Sequence, residues 1–376
     1  MIPFNKPYLT GSERRRLQEV LDRGKLSGDG PATKACQARL EQLMGSGRAL
    51  LTTSCTDALE AAALLCDIEP GDEVIVPSYT FVSTANAFAL RGARIVFCDS
   101  RRDHPNLDVD RLGELVTART RAIVPVHYAG MACDMDGLQR LCEGKHIRIV
   151  EDAAQAIASY YKGRPLGTFG DLAAFSFHET KNIVAGEGGS LHVNDPALAK
   201  QAEIVREKGT DRSAFFRGEV DKYGWVSLGS SYLPSELVAA VLLAQLDEID
   251  IIQEMRLAVW AAYDERMRLL EREGKLTCPI LPDGATNNAH IYYVLCANLD
   301  ERDRLLEHLR REGVQAVFHY QALHSSRYFE DRHDGRDLPN ATRFTETLVR
   351  LPLYAGLTRE EVDMVCKAVE TFFAVP

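Results

Sequence analysis

The sequence contains no run approaching the roughly 20 apolar residues of a helical membrane span, so nothing in it points to a membrane protein. It also lacks a positive surplus. Its 44 Lys and Arg stand against 54 Asp and Glu, and a net charge of −10 argues against a nucleic-acid-binding surface. The nine cysteines are odd in number and scattered, with no CxxC pair and no Cys/His cluster of zinc spacing. Neither a disulfide framework nor a metal centre is expected from them. The glycine-rich stretch Gly24–Pro31 has neither GxGxxG nor Walker spacing and reads as a connector. Met1–Lys6 has no apolar signal core, from which we expect a cytoplasmic protein.

What is present is enzyme-sized length and ordinary globular composition. At 376 residues, 45% hydrophobic and 26% charged, the chain is too long for one simple core, and two domains are expected. Helices are read at Glu13 to about Arg23 and about Ala32 to Met44. Short apolar segments at 49–53, 73–76, 94–97, 122–126, 147–150, 172–177 and 190–193 read as strands, most of them separated by helical stretches. This alternation predicts an α/β fold with a mostly parallel sheet. One long helix is predicted from Glu236 to about Arg272, with Leu237, Val241, Leu242, Leu246 and Ile249 at helical spacing. We place the domain boundary on it. Residues 1–245 form the large domain, and 246–376 a smaller α+β domain with strands near 289–297 and 314–318 and helices near 300–312, 340–349 and 358–373.

In such sheets ligands sit beyond the carboxyl ends of the strands, and four chemically distinct features fall there. Ser54-Cys55-Thr56 joins a strand to a helix, and free N–H groups at a helix start suit a phosphate; read alone, Ser54 or Thr56 is only a cap. Phe81 lies in the polar turn Pro77–Thr84, and Asp152 follows the strand 147–150. Lys181 comes just after the strand 172–177, beside the loop Gly186–Gly189. Taken alone, Lys181 is a surface lysine. Against desolvating walls its charge is disfavoured, and the neutral amine is a nucleophile and a base. A phosphate turn, an aromatic ring, a carboxylate and a lysine are the parts that hold pyridoxal 5′-phosphate.

Several stretches carry a family likeness: Ser54-Cys55-Thr56 before Ala58-Leu59, Pro77–Thr84, Pro125–Gly130, Glu151–Gln155, Phe175–Asn182 and Gly186–Gly189. Arg206–Thr210 with Phe215–Gly218, Val317–Tyr320 and Leu351–Leu353 complete the set. From end to end the chain resembles the DegT/DnrJ/EryC1/StrS sugar aminotransferases, most of all those acting at C4 of dTDP-4-keto-6-deoxy-D-glucose. The resemblance implies a fold-type I, aspartate aminotransferase-like architecture. It implies Lys181 as the Schiff-base lysine, Asp152 on the pyridinium nitrogen, Gln155 near the ring hydroxyl and Phe81 stacked on the ring. Cys55 (through its backbone N–H), Thr56 and Ser176 would bind the phosphate. His178, His319, Tyr320 and Arg217 would face the sugar nucleotide. Ser231 stands where many relatives have an asparagine that reaches the neighbouring subunit's cofactor phosphate; a serine is shorter, and a water would complete that contact.

The resemblance further implies a homodimer with composite active sites, L-glutamate as donor, the pyridoxamine form of the cofactor as intermediate and a ping-pong cycle. The product is a dTDP-4-amino-4,6-dideoxy-D-hexose. Three alternatives stand beside it. One is a 3-keto or UDP-4-keto nucleotide-sugar aminotransferase of the same family. Another is a 3-dehydratase, against which Lys181 argues because that branch has histidine there. The third is a non-enzymatic regulator, against which the set Lys181, Asp152 and Gln155 argues. The segment 209–234, with Arg212, Phe215, Phe216, Arg217 and Trp225, reads either as a nucleotide-holding loop or as a dimer contact.

Overall fold

The computed structural model describes residues 1–374. Its centre is a seven-stranded sheet of β1 (Arg48–Thr52), β2 (Glu73–Pro77), β3 (Arg94–Cys98), β4 (Thr120–Ile123), β5 (Arg148–Asp152), β6 (Leu172–Ser176) and β7 (Gly189–Val193). The spatial order is β1-β7-β6-β5-β4-β2-β3. β7 runs antiparallel to both neighbours, and every other adjacent pair is parallel. The expected mostly parallel sheet is therefore present with one reversed strand. An antiparallel return needs only a loop, here the residues around Lys181 and Gly186–Gly188, and not a crossover helix.

The strands read as unbroken apolar runs because both faces of the sheet are covered. Alternate side chains point to opposite sides. Leu51, Ile75, Ile123, Ile149, Ala173 and Phe175 enter one core, while Leu50, Val74, Val76, Ala122, Val150, Leu172 and Ala174 enter the other. The helix Cys55–Leu65 belongs to the second core through Ala58, Leu59, Ala61, Ala62 and Leu65.

The long predicted helix is two helices, Glu236–Asp247 and Ile249–Arg272, divided at Glu248 (φ −117°, ψ 19°). The two halves serve different cores. Ala239, Ala240, Leu242 and Leu246 pack beneath the large sheet, whereas Val259, Tyr263, Met267 and Leu270 pack in a third core. That third core lies on a small antiparallel sheet of β8 (Tyr292–Leu295), β9 (Val317–Phe318) and β10 (Leu348–Leu351), in the order β8-β10-β9. The helices Leu299–Arg311 and Arg359–Ala374 flank it. Ile2 joins the same core: its N–H donates to Gly313 O at 2.7 Å, and Gln315 N–H donates to Ile2 O at 3.0 Å. Val314, read as the start of a strand through Phe318, pairs with Ile2 instead. The helix read near 340–349 ends at Thr347 and hands over to β10. No described helix is long and apolar enough to cross a membrane.

Candidate active site

A cavity of about 650 Å³ opens at the carboxyl ends of β1, β5 and β6. It is lined by Cys55, Thr56, Phe81, Asp152, Gln155, Ser176, His178, Lys181, His319 and Tyr320, ten of the residues singled out in the sequence. Two are placed elsewhere. Arg217 is ion-paired to Glu203 (2.8 Å) and Glu219 (2.7 Å) on another face. Ser231 is exposed and bridges to Glu207, away from the cavity of its own chain.

Each wall follows from local chemistry. Ser54 caps the helix Cys55–Leu65, its Oγ accepting from Asp57 N–H at 3.0 Å. The N–H groups of Cys55 and Thr56 precede the first intrahelical bond and face the cavity end of the helix dipole. Thr56 Oγ1 and Ser83 Oγ are 2.8 Å apart and tie this turn to the next. β7 crosses behind the turn at Gly189, where a Cβ would collide with the backbone of Ser54 and Cys55; only glycine permits this approach. Burial keeps the Cys55 sulfur a thiol by pushing its pKa well up.

Asp152 ends β5 and is 5% exposed. Its Oδ2 accepts from Thr84 Oγ1 at 2.7 Å and its Oδ1 from Ala154 N–H at 3.1 Å. Since Thr84 gives its proton to Asp152, Thr80 Oγ1, 2.8 Å away, donates to Thr84. Burial raises the Asp152 carboxyl pKa, opposed by the Thr84 and Ala154 hydrogen bonds and by the charge of Lys181. Below it, Glu151 is fully buried and accepts from His127 Nε2 (2.9 Å) and from the N–H groups of Gly167, Phe169 and Gly170. Cys133 N–H occupies His127 Nδ1, which fixes that ring as a structural donor.

Lys181 stands across the cavity from β5, in the turn that follows β6, its N–H donating to His178 O. Burial holds its ammonium pKa below the ordinary lysine value, and the charge of Arg350 pushes the same way, against Asp152. Gln155 is held at both ends: Oε1 accepts from Ala129 N–H at 2.7 Å, and Nε2 donates to Tyr320 OH at 3.2 Å. Phe81 is 54% exposed at the mouth, its ring centroid 5.9 Å from that of Tyr320. Tyr128 OH donates to His319 O at 3.2 Å.

Four contributors escaped the sequence reading: Phe4, Thr84, His290 and Arg350. Thr84 sits inside the 77–84 turn and was visible as part of that motif only. Asn182 Nδ2 donates to Gln253 Oε1 and Asn288 O, so its Oδ1 accepts from His290 Nδ1–H at 2.8 Å. That leaves His290 Nε2 as a bare acceptor. Burial drives the His290 pKa well below the ordinary histidine value, and the cations Lys181, Arg350 and Arg256 add to the effect.

Residues 7–370 match the DegT/DnrJ/EryC1/StrS aminotransferase family. Among solved structures, the aminotransferase TlmJ from Streptoalloteichus hindustanus is 32% identical and superposes with a TM-score of 0.91 over 100% of this chain and 99% of its own. S. venezuelae DesV is 31% identical, with a TM-score of 0.88 over 96% of this chain and 94% of its own. The putative sugar aminotransferase Spr1654 from Streptococcus pneumoniae, solved in PMP, PLP and apo forms, is 28% identical in its PMP form, with a TM-score of 0.91 over 100% of this chain and 99% of its own. The chain belongs to the DegT/DnrJ/EryC1/StrS aminotransferase family and is a pyridoxal phosphate-dependent transaminase.

Proposed function

We propose that the protein transfers the amino group of L-glutamate to C4 of dTDP-4-keto-6-deoxy-D-glucose, giving a dTDP-4-amino-4,6-dideoxy-D-hexose, in a homodimer. The observation that carries the transaminase chemistry is the pairing of a half-buried, pKa-lowered Lys181 with a buried Asp152 in one cavity. The choice of a C4 ketone on a dTDP sugar rests on the motif likeness over nearly the whole chain, and the similar Spr1654 is a putative sugar aminotransferase.

The residues fit the cofactor. Asp152 offers a buried carboxylate for a protonated ring nitrogen, and the N–H groups of Cys55 and Thr56 with the Ser176 hydroxyl offer donors for a phosphate. Gln155, held by Ala129 and Tyr320, would offer its remaining N–H to a ring hydroxyl, and Phe81 would stack on the ring. When bound, pyridoxal phosphate supplies an electron sink for the charge left at the donor's Cα. Lys181 takes the proton from that Cα; being held below the ordinary lysine range, its amine is neutral often enough to act as the base. Asp152 keeps the sink effective by favouring the protonated ring. His178, His319 and Tyr320, which line the cavity, would face the acceptor, and Arg217 and Ser231 would act across a dimer interface.

The test is a visible absorbance spectrum of the purified holoenzyme, taken before and after L-glutamate and then dTDP-4-keto-6-deoxyglucose, with the product examined by NMR. The cofactor band should fall with glutamate and return with the sugar. A band that responds to glutamate and not to this sugar overturns the acceptor. A protein that takes up no cofactor overturns the proposal as a whole.

A further inference from the structure

His290 joins the Lys181 turn to the three-stranded sheet. It stands just before β8, is 3% exposed and lines the cavity. Its backbone is fixed on both sides. The N–H donates to Asn288 Oδ1 at 3.0 Å, and the carbonyl accepts from Arg256 Nη2 at 2.8 Å. The ring is fixed as well. Nδ1–H donates to Asn182 Oδ1 at 2.8 Å, and Asn182 follows Lys181 directly in the chain. Asn182 cannot turn its amide over, because Nδ2 donates to Gln253 Oε1 at 2.8 Å and to Asn288 O at 2.7 Å. The tautomer of His290 is thereby set, and Nε2 is an acceptor with no donor among the described residues. Burial holds the ring neutral, so that acceptor stays available.

Lys181 has the complementary lack. Among the described residues its amine makes no hydrogen bond and no ion pair, and of the charges acting on His290 that of Lys181 is the strongest. An amine turning freely on a four-carbon stem offers its lone pair in many directions, and proton transfer needs one. We propose that His290 is a positioning residue whose Nε2 accepts one N–H of the neutral Lys181 amine and so aims the lone pair of that amine. A neutral amine has two N–H bonds and one lone pair. Pinning one N–H fixes the end of the stem and leaves the lone pair for the proton on the donor's Cα. In the transfer the Cα–H bond breaks, its electron pair stays with the donor, and an N–H bond forms on Lys181. The His290 ring gains and loses no proton. Other acceptors of the cavity are already engaged: Asp152 by Thr84 and Ala154, and His178 Nδ1 by Thr180. This inference rests on the proposed role of Lys181 as the base.

His290→Leu and His290→Gln holoenzymes test it. Both lose the bond to Asn182, but glutamine can place an amide oxygen near the position of Nε2 and leucine accepts nothing. In single-turnover mixing with L-glutamate, His290→Leu should slow decay of the cofactor band roughly 10- to 30-fold, and His290→Gln should recover most of that loss. Half-saturation by glutamate should stay within about twofold in both. Cα-deuterated glutamate should widen the gap in His290→Leu, because C–H cleavage has become the slower step. No slowing, or equal slowing in both variants, overturns the assignment. A second measurement needs no turnover. In protein loaded with pyridoxamine 5′-phosphate, where Lys181 is a free amine, the nitrogen-15 resonance of His290 Nε2 is the one lost in His290→Gln. It should move downfield, toward a bare acceptor, in Lys181→Ala. A resonance that stays in place overturns the contact, and this arm decides if His290→Leu does not fold. A wild-type band that ignores glutamate, with the resonance still dependent on Lys181, overturns glutamate as donor and leaves the contact standing.

Discussion

Asp152 is aimed by a relay of hydroxyls, Thr80 to Thr84 to Asp152. Thr84→Val keeps the shape and removes the 2.7 Å bond. The expected loss is about 1–1.5 kcal/mol of transition-state stabilisation, or roughly tenfold in kcat, because a carboxylate free to turn holds the ring proton less well. Steady-state kinetics beside a thermal melt would check this, and an unchanged kcat would remove Thr84 from the relay. Lys181→Ala should lower turnover by ~10³-fold or more, since it deletes the base outright; single-turnover mixing with glutamate would show it, and a band that still decays at the wild-type rate would contradict it. Lys181, Asp152 and Gln155 were legible because each follows a recognisable apolar strand in a chemically unusual run. His290 and Arg350 were not. Each sits at or in a short strand of the three-stranded sheet, and local pattern does not tell whether a strand residue faces a core or a cavity. That is decided by the packing of β8 and β10 against residues more than 100 positions away.

At the scale of elements, the helices Pro31–Met44 and Glu236–Asp247 are joined by one carboxylate. Glu236 is 1% exposed and accepts from the N–H groups of Gly30 (3.1 Å), Ala32 (2.8 Å) and Thr33 (2.9 Å). It caps a helix start 206 positions away from itself at Gly30, where the helix dipole favours negative charge. Glu236→Ala leaves four buried donors, the three N–H groups and the Thr33 hydroxyl, without an acceptor. We expect a loss of roughly 2–4 kcal/mol in guanidinium unfolding, with Glu236→Gln losing less. A change below about 0.5 kcal/mol would show that water replaces the carboxylate. The same contact explains what the sequence hid at this scale. Glu236 reads as an ordinary first-turn residue of its own helix, after Ser235, and nothing near it announces a distant partner. The strand runs were visible because two-sided burial makes them continuously apolar. The break at Glu248, the reversal of β7 and the pairing of Ile2 with Val314 depend on which core each segment meets, and so on contacts remote in the chain.

The molecule as a whole carries a net charge of −10, yet its cavity sets the cations Lys181 and Arg350 beside one buried carboxylate. The local field thus favours anionic ligands while the surface as a whole is acidic. Burial, at this cavity and elsewhere in the fold, leaves histidines that resist protonation. His104, 6% exposed with its Nδ1 unpartnered, has its pKa lowered to about 4 by burial, Asp103 opposing and Arg101 assisting. His290, 3% exposed, lies well below the ordinary value for the reasons given above. For both, the folded pKa is below the unfolded one. Between the two values the unfolded chain binds more protons, so stability is fully present above about pH 6.5 and is lost as pH falls. For His104 this is a loss of about 2 kcal/mol between roughly pH 7.5 and 5, and His290 acts in the same direction. Buried Glu151 adds to the loss only at lower pH, because His127 and the N–H groups of Gly170 and Gly167 outweigh the effect of burial and hold its carboxyl below the ordinary range. Guanidinium unfolding of the cofactor-free protein across this range should show the decline. His104→Asn should flatten it by about 2 kcal/mol, His290→Asn should flatten it as well, and the double variant should remove both contributions, since the sites share no partner and are expected to add. A profile as steep in the double variant as in the wild type would place the acid sensitivity elsewhere in the fold.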